Sequence, residues 1–233
     1  MNTQGQLVAL ARNTGEWVWQ QSDVEPSLFS LISRHGLQFF EGRLLAGFPS
    51  GKLQAHQPET GLRLWTDNFS MVGVDGLGLN DLRALETRGD YLVASSYGGD
   101  LRVWKSQAGS RRLLWEKSQS LHTAPQIDLA AGLVYISNRE GGLQAVELET
   151  GFVRWEYAFP RGLGTQPVFS GNHLWVGTSM GELFVFDRTS GGILAQTRAL
   201  GSSIIQAPMV IDDHSALVVT TKGILRRFQL KEI

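Results

Sequence analysis

One motif returns six times along this chain and leaves few folds open to it. Gly-x-Leu appears as GQL at Gly5, GKL at Gly51, GDL at Gly99, GGL at Gly141, GEL at Gly181 and GIL at Gly223. Successive glycines are 46, 48, 42, 40 and 42 residues apart. A period near 40 residues that holds only short elements is that of a four-stranded propeller blade. Each copy is preceded by a run rich in β-branched and aromatic residues, such as HLWVGTS (His173–Ser179), GLVYISN (Gly132–Asn138), YLVASSY (Tyr91–Tyr97) and ALVVTT (Ala216–Thr221). Such a run, a turn and then Gly-x-Leu read as a hairpin, with the glycine reversing the chain at positive φ.

A second turn follows each motif, at Asn13–Gly15, Glu59–Gly61, Gln107–Gly109, Glu149–Gly151 and Thr189–Gly191. The strand after it ends in Trp19, Trp65, Trp115 or Trp155, with Ala195 at that position in the fifth copy. Recurrence at one place in the repeat marks these tryptophans as structural plates, since an indole buries a large apolar area and can donate its ring N–H to a neighbour. Trp17, Trp104 and Trp175 fall outside that register. The third copy carries two more residues between Gly109 and Trp115, which predicts a looser turn there. No window of a dozen residues shows a helical period. The expected fold is all-β: a single β-propeller domain over residues 1–233, built of four-stranded antiparallel blades, about five of them plus one extra strand.

With strands named A to D from the inside of a blade outwards, the chain opens on C and D (GQLVAL, EWVWQ) and ends on A, B and C (QAPMVI, ALVVTT, GILRRFQL). Two solutions remain open. The ends combine into a fifth blade of a small ring, with one C strand spare, or more than one chain contributes to a larger assembly. Unpaired edges and apolar blade faces favour association, so a homo-oligomer through the incomplete terminal blades is an expectation.

Composition excludes several functions. Lys and Arg total 21 against 22 Asp and Glu, so no basic surface calls for nucleic acid. There is no cysteine, hence no disulfide, thiolate nucleophile or Cys-ligated metal. No apolar stretch is long enough for a membrane helix, and the opening MNTQGQLVAL lacks the basic and long apolar regions of a secretion signal. His35, His56, His122, His173 and His214 are dispersed, with no ligand pair. The Gly162–Gly164 GLG run precedes a strand and reads as an inter-blade turn, and no nucleophile elbow or phosphate loop is present. Arg111 and Arg112, and Arg226 and Arg227, form small clusters whose strand alternation makes them solvated edges.

What remains is surface. The two longest repeats hold extra material after a D strand, DVEPSLFSLISRHG (Asp23–Gly36) and MVGVDGLGLNDL (Met71–Leu82). Both mix Leu and Phe with a few charges, a composition suited to a protein interface, and they should emerge as neighbours on one face. The alternative is that they fold back to plug their own blades.

The pattern Ala-x-x-x-x-Thr-Gly-x-x-x-Trp, in ALARNTGEWVW (Ala9–Trp19), AHQPETGLRLW (Ala55–Trp65) and AVELETGFVRW (Ala145–Trp155), resembles the tryptophan-docking repeat of pyrroloquinoline-quinone-type β-propellers. Within that group the chain is similar to the BamB family of outer-membrane assembly lipoproteins, mainly to its later blades. PSLFSLISR (Pro26–Arg34) and GLNDLR (Gly78–Arg83) resemble the loops through which that family contacts the barrel-inserting subunit BamA. The resemblance implies a non-catalytic scaffold that assists β-barrel assembly, with Leu28, Leu31, Arg34 and Asp81 as partner contacts. Arg83 stands where the family tends to place a second Asp. It further implies a place on the periplasmic face of the outer membrane, with membrane association only through a lipid anchor outside this chain. Quinoprotein dehydrogenases share the repeat and are the enzymatic rival, and a propeller with an unrelated partner is the other. A quinone enzyme needs carboxylates and calcium. The candidates here are Asp75, Asp81, Asp128, Asp212 and Asp213, of which the Ile211–Asp213 run reads as a solvated turn. No catalytic residue, cofactor or metal is therefore expected.

Overall fold

The computed structural model describes residues 6–22, 36–69, 82–107, 109–197 and 200–230. Every regular element among them is a β-strand, twenty-one in all, and the strands form six antiparallel sheets. That is the number in five four-stranded blades plus one strand. They are distributed as four complete blades and two partial ones. The chain clusters into two compact units, Met1–Ser120 and Leu121–Ile233.

The first unit holds a two-stranded sheet, β1 (Gln6–Leu10) and β2 (Trp17–Ser22), and two complete blades. One blade is β3 (Leu37–Phe40), β4 (Arg43–Gly47), β5 (Lys52–His56) and β6 (Arg63–Asn68). The next is β7 (Leu82–Arg88), β8 (Tyr91–Ser96), β9 (Asp100–Gln107) and β10 (Ser110–Ser118). The second unit holds β11 (Gln126–Asp128), β12 (Leu133–Ser137), β13 (Gly142–Glu147) and β14 (Val153–Ala158), then β15 (Val168–Ser170), β16 (His173–Gly177), β17 (Leu183–Asp187) and β18 (Ile193–Gln196). It ends on a three-stranded sheet, β19 (Met209–Asp212), β20 (Ser215–Val219) and β21 (Leu225–Gln229). The opening on C and D and the ending on A, B and C are therefore observed.

The glycines do what the repeat requires of them. Gly51, Gly99, Gly141, Gly181 and Gly223 all have φ between 75° and 103°, before the C strand, and the second-turn glycines lie in the same region. Gly5 is outside the described residues. Two residues after each described motif glycine of a complete blade stands a leucine with at most 1% exposure: Leu53, Leu101, Leu143 and Leu183. Leu53, Leu143 and Leu183 pack against the following sheet of their own unit. Five residues after the glycine, the C strand carries a buried residue, His56, Trp104, Val146 or Phe186, and within each unit His56, Trp104 and Phe186 meet aromatic rings of the preceding sheet or of the chain just after it.

The docking tryptophans join consecutive sheets within each unit. The Trp19 ring lies parallel to His56, with centroids 6.5 Å apart, and donates its N–H to the Pro58 carbonyl at 2.8 Å. The Trp155 ring stacks on Phe186 at 6.1 Å and donates to the Arg188 carbonyl at 3.1 Å. Both indoles lie over turn glycines. A Cβ added at Gly61 would stand 2.6 Å from Trp19, and one at Gly191 2.5 Å from Trp155. A register shift precedes the docking position in all five C–D ladders, including the one that carries Ala195. Such a bulge re-aims the following side chain, so the backbone device persists where the indole is lost.

The third copy departs from expectation. Its turn is not looser: Gln107 pairs directly with Ser110, and the two additional residues lengthen β9 and β10. Extending the ladder satisfies more backbone groups than an open loop would. Trp104 proves to be the buried platform residue of its sheet, Trp175 lies in the core, and Trp17 is largely exposed.

Candidate partner-binding site

The two long connections leave β2 and β6 and rejoin the fold at β3 and β7, in one unit. Leu28, Leu31, Arg34 and Asp81 lie outside the described residues, as do Asp75 and His35. The segments that hold the ends of these connections are described. The Gly47 N–H donates to the Gly36 carbonyl at 2.7 Å, which fixes the end of the first connection. The adjacent Phe48 carbonyl accepts the Leu82 N–H at 3.3 Å, which fixes the end of the second. Two consecutive residues therefore anchor both loops. Gly47 is required at this point, because a Cβ there would stand 2.2 Å from the Leu82 side chain.

The start of the second connection is held as firmly. Phe69 is buried, and its N–H donates to the Gly51 carbonyl at 2.8 Å. Its ring meets Trp104 edge-on at 5.9 Å and lies under the Arg102 guanidinium at 4.6 Å. Arg102 also donates to the Asn68 carbonyl at 2.8 Å and pairs with Glu116 at 3.1 Å. Beside it, Arg111 lies 3.8 Å from the Trp65 ring centroid and 5.1 Å from that of Trp104, and pairs with Asp67 at 2.5 Å. Burial pulls the Arg111 guanidinium below its ordinary value, and the Asp67 carboxylate opposes that shift. Arg111 is thus no solvated edge. Strand alternation placed it correctly on one face, but the sequence alone did not show that two indoles and a carboxylate cover that face. Arg227, by contrast, is half-exposed and lies 3.7 Å from Asp212.

Phe69, Arg102 and Trp104 were not singled out as a group by sequence reasoning. The one signal that could have found them is the position of Trp104, five residues after Gly99, where every blade presents its platform.

The carboxylates considered for a quinone enzyme have other employment where they are described. Asp128 is buried and accepts from the Ala131 N–H at 3.1 Å and the Tyr135 hydroxyl at 3.2 Å. Arg188 of the next blade pairs with it at 3.0 Å. Burial pushes the Tyr135 hydroxyl well above its ordinary value, and the Asp128 charge adds to the shift. Asp212 caps its own turn, accepting from the Ser215 hydroxyl at 2.6 Å and the His214 N–H at 2.9 Å. Asp213 accepts from Ser170 at 2.5 Å. Among the described residues no three His, Cys, Asp or Glu side chains are grouped so as to hold a metal ion.

Bulged four-stranded blades, docked by an indole on the next blade's turn, define a tryptophan-docking β-propeller. Comparison with solved structures agrees. The chain superposes on the crystal structure of BamB from Moraxella catarrhalis with a TM-score of 0.80 at 22% identity, covering 97% of this chain and 67% of that one. The computationally designed Ika8 protein gives 0.73 at 19% identity. Residues 2–157 match the family model described as outer membrane protein assembly factor BamB, and the chain belongs to that family. Curated relatives include the assembly factors BamB of Burkholderia pseudomallei, 28% identical over 226 residues, and of Bordetella pertussis, 26% identical over 227. Each alignment covers 94% of this chain but only 57% and 56% of the relative. The chain thus spans little more than half the length of the curated relatives it matches.

Proposed function

We propose that this chain is a non-catalytic scaffold of outer-membrane protein assembly that binds a BamA-like subunit through residues 23–36 and 71–82. Leu28, Leu31, Arg34 and Asp81 make the contacts. The observation that carries this reading is the shared anchor at Gly47–Phe48, which ties the ends of two Leu-bearing connections to adjacent residues. Apolar side chains flanked by a few charges suit a docking patch with a polar rim. Family membership supports the assembly role and a location at the periplasmic face of the outer membrane. The work is done by positioning: the loops hold the partner in a favourable orientation while the blades supply a rigid base.

The test is recovery from a detergent extract of cell envelopes, with the native chain and the Leu28→Ala/Arg34→Ala variant as baits. The native chain should retain a BamA-like subunit, and the variant should retain at least tenfold less at equal loading. Failure of the native chain to recover that subunit removes the proposed partner. Equal recovery by the variant removes the proposed residues.

A further inference from the structure

The histidines are dispersed in the sequence, but packing brings two of them together. His173 opens β16, and His214 lies in the turn between β19 and β20 of the same unit. Their ring centroids are 5.3 Å apart, with the planes inclined at 60°, and both residues are partly exposed. Two imidazoles that hold one tetrahedral ion through nitrogens about 2.1 Å from it have centroids about 5 Å apart. The observed separation matches that requirement.

The surroundings orient both rings. His173 Nδ1 lies 2.6 Å from the Asp213 carbonyl. A carbonyl only accepts, so Nδ1 carries the proton and Nε2 of the neutral ring keeps its lone pair. A metal-ligating histidine is arranged in this way, with its second nitrogen donating to a backbone carbonyl. The turn that supplies the carbonyl is itself held, since the Ser170 hydroxyl donates to the Asp213 carboxylate at 2.5 Å and the His214 N–H to Asp212 at 2.9 Å. The His214 ring nitrogens make no hydrogen bond among the described residues. Charge also favours a cation here. Asp187 lies opposite His173 across the β16–β17 ladder, and Asp213 precedes His214. Among the described residues neither carboxylate forms an ion pair, whereas Arg188 and Arg227 are held by Asp128 and Asp212.

We propose that His173 and His214 together bind one divalent transition-metal ion, Cu2+ most tightly, with water completing its shell. Imidazole donors select against Mg2+ and Ca2+, which take oxygen ligands. The bound ion clamps the turn between β15 and β16 to the turn between β19 and β20. At this joint Ala195 stands in place of the docking indole, and Ala195, Trp175, Val218 and Phe228 hold the two sheets through one apolar cluster. The clamp adds a second hold there.

Titration of the untagged chain with copper(II) chloride, followed by calorimetry and electron paramagnetic resonance, tests this. One Cu2+ should bind per chain, its spectrum split by two imidazole nitrogens, and Mg2+ should give no binding heat. His173→Gln and His214→Gln should each weaken binding at least tenfold, while His122→Gln should bind as the native chain does. Cu2+ should raise the melting temperature of the native chain but not that of either weakened variant. A native chain that binds no stoichiometric Cu2+ overturns the proposal, as does affinity unchanged in the variants. A native spectrum split by fewer than two nitrogens also overturns it. Should His173→Gln fail to fold by far-UV circular dichroism, His214→Gln decides the comparison, because its ring gives up no hydrogen bond.

Discussion

Trp155 lies on the flat ring of Phe186 and against the bare backbone of Gly191, whereas Trp65 lies beneath the guanidinium of Arg111. The two indoles occupy equivalent places in their blades, and both follow a bulge in the same ladder. What differs is the sheet they meet. Around Trp155 the partner turn is the short form, and its glycine lets the indole approach the main chain. In the third copy the ladder runs two residues further, so the turn has moved away and nothing stands within 4 Å of a Cβ on Gly109. The added length supplies Arg111, which covers the indole from the other sheet and is held by Asp67. An apolar dock has become a charged one, in the unit that also carries both long connections. A repeat can thus lose its glycine contact and keep the joint, provided that another group covers the ring.

Removing the indole should give the largest effect. Trp155→Ala should destabilise the second unit by about 3 kcal/mol, because it deletes the stack on Phe186 and removes one of the two donors to the Arg188 carbonyl, the other being the Tyr135 hydroxyl. Chemical denaturation followed by tryptophan fluorescence and circular dichroism measures this. A loss below about 1 kcal/mol would show that the plate is dispensable at this joint.

The turn glycines give a finer contrast. Gly191→Ala should cost roughly 2–3 kcal/mol, as the methyl group both strains a left-handed backbone and displaces the indole. Gly109→Ala should cost only about 1 kcal/mol, because the backbone strain remains but there is open space above it. Both have similar φ, 74° and 78°, so conformation alone predicts equal losses. Equal measured losses would mean that close approach of the indole contributes nothing.

Much of this was legible in the sequence. Fixed spacing identified the blades, the positive-φ glycines and the tryptophan positions, because each follows from local rules that recur with the repeat. Even the split of strands between the two ends could be counted. Arg111 could not be placed, since its role depends on Trp65 and Asp67 of a preceding sheet, far off in sequence. The anchoring of both long connections at Gly47–Phe48 was equally hidden, because main-chain hydrogen bonds leave no mark on residue identity. Asp128 looked like one of several acidic candidates. Its commitment to Tyr135 and to Arg188 of the next blade appears only when the blades are packed.

A third kind of dock occurs at Trp19, where the platform is His56, a group that can change charge. Its ring is buried, with Nδ1 3.0 Å from the Gly61 carbonyl and Nε2 3.1 Å from the Gln54 side-chain amide. Burial lowers its pKa from the ordinary 6.5, the Gly61 carbonyl opposes the shift, and nearby Arg63 adds to it. The unfolded chain therefore binds more protons than the folded one between the lowered value and 6.5. The neutral ring's contribution to stability is complete above that window and is lost as pH falls through it. Phe186 at the equivalent place cannot titrate, so His56→Phe converts one dock into the other. Melting temperatures of the native chain and of His56→Phe, measured from pH 7.5 to 5, should diverge, the native chain losing more on acidification. The carboxylates common to both proteins cancel in that difference. Parallel curves would show that the folded state holds a protonated His56 as readily as the unfolded chain does, and that the Trp19 dock is indifferent to charge beneath it.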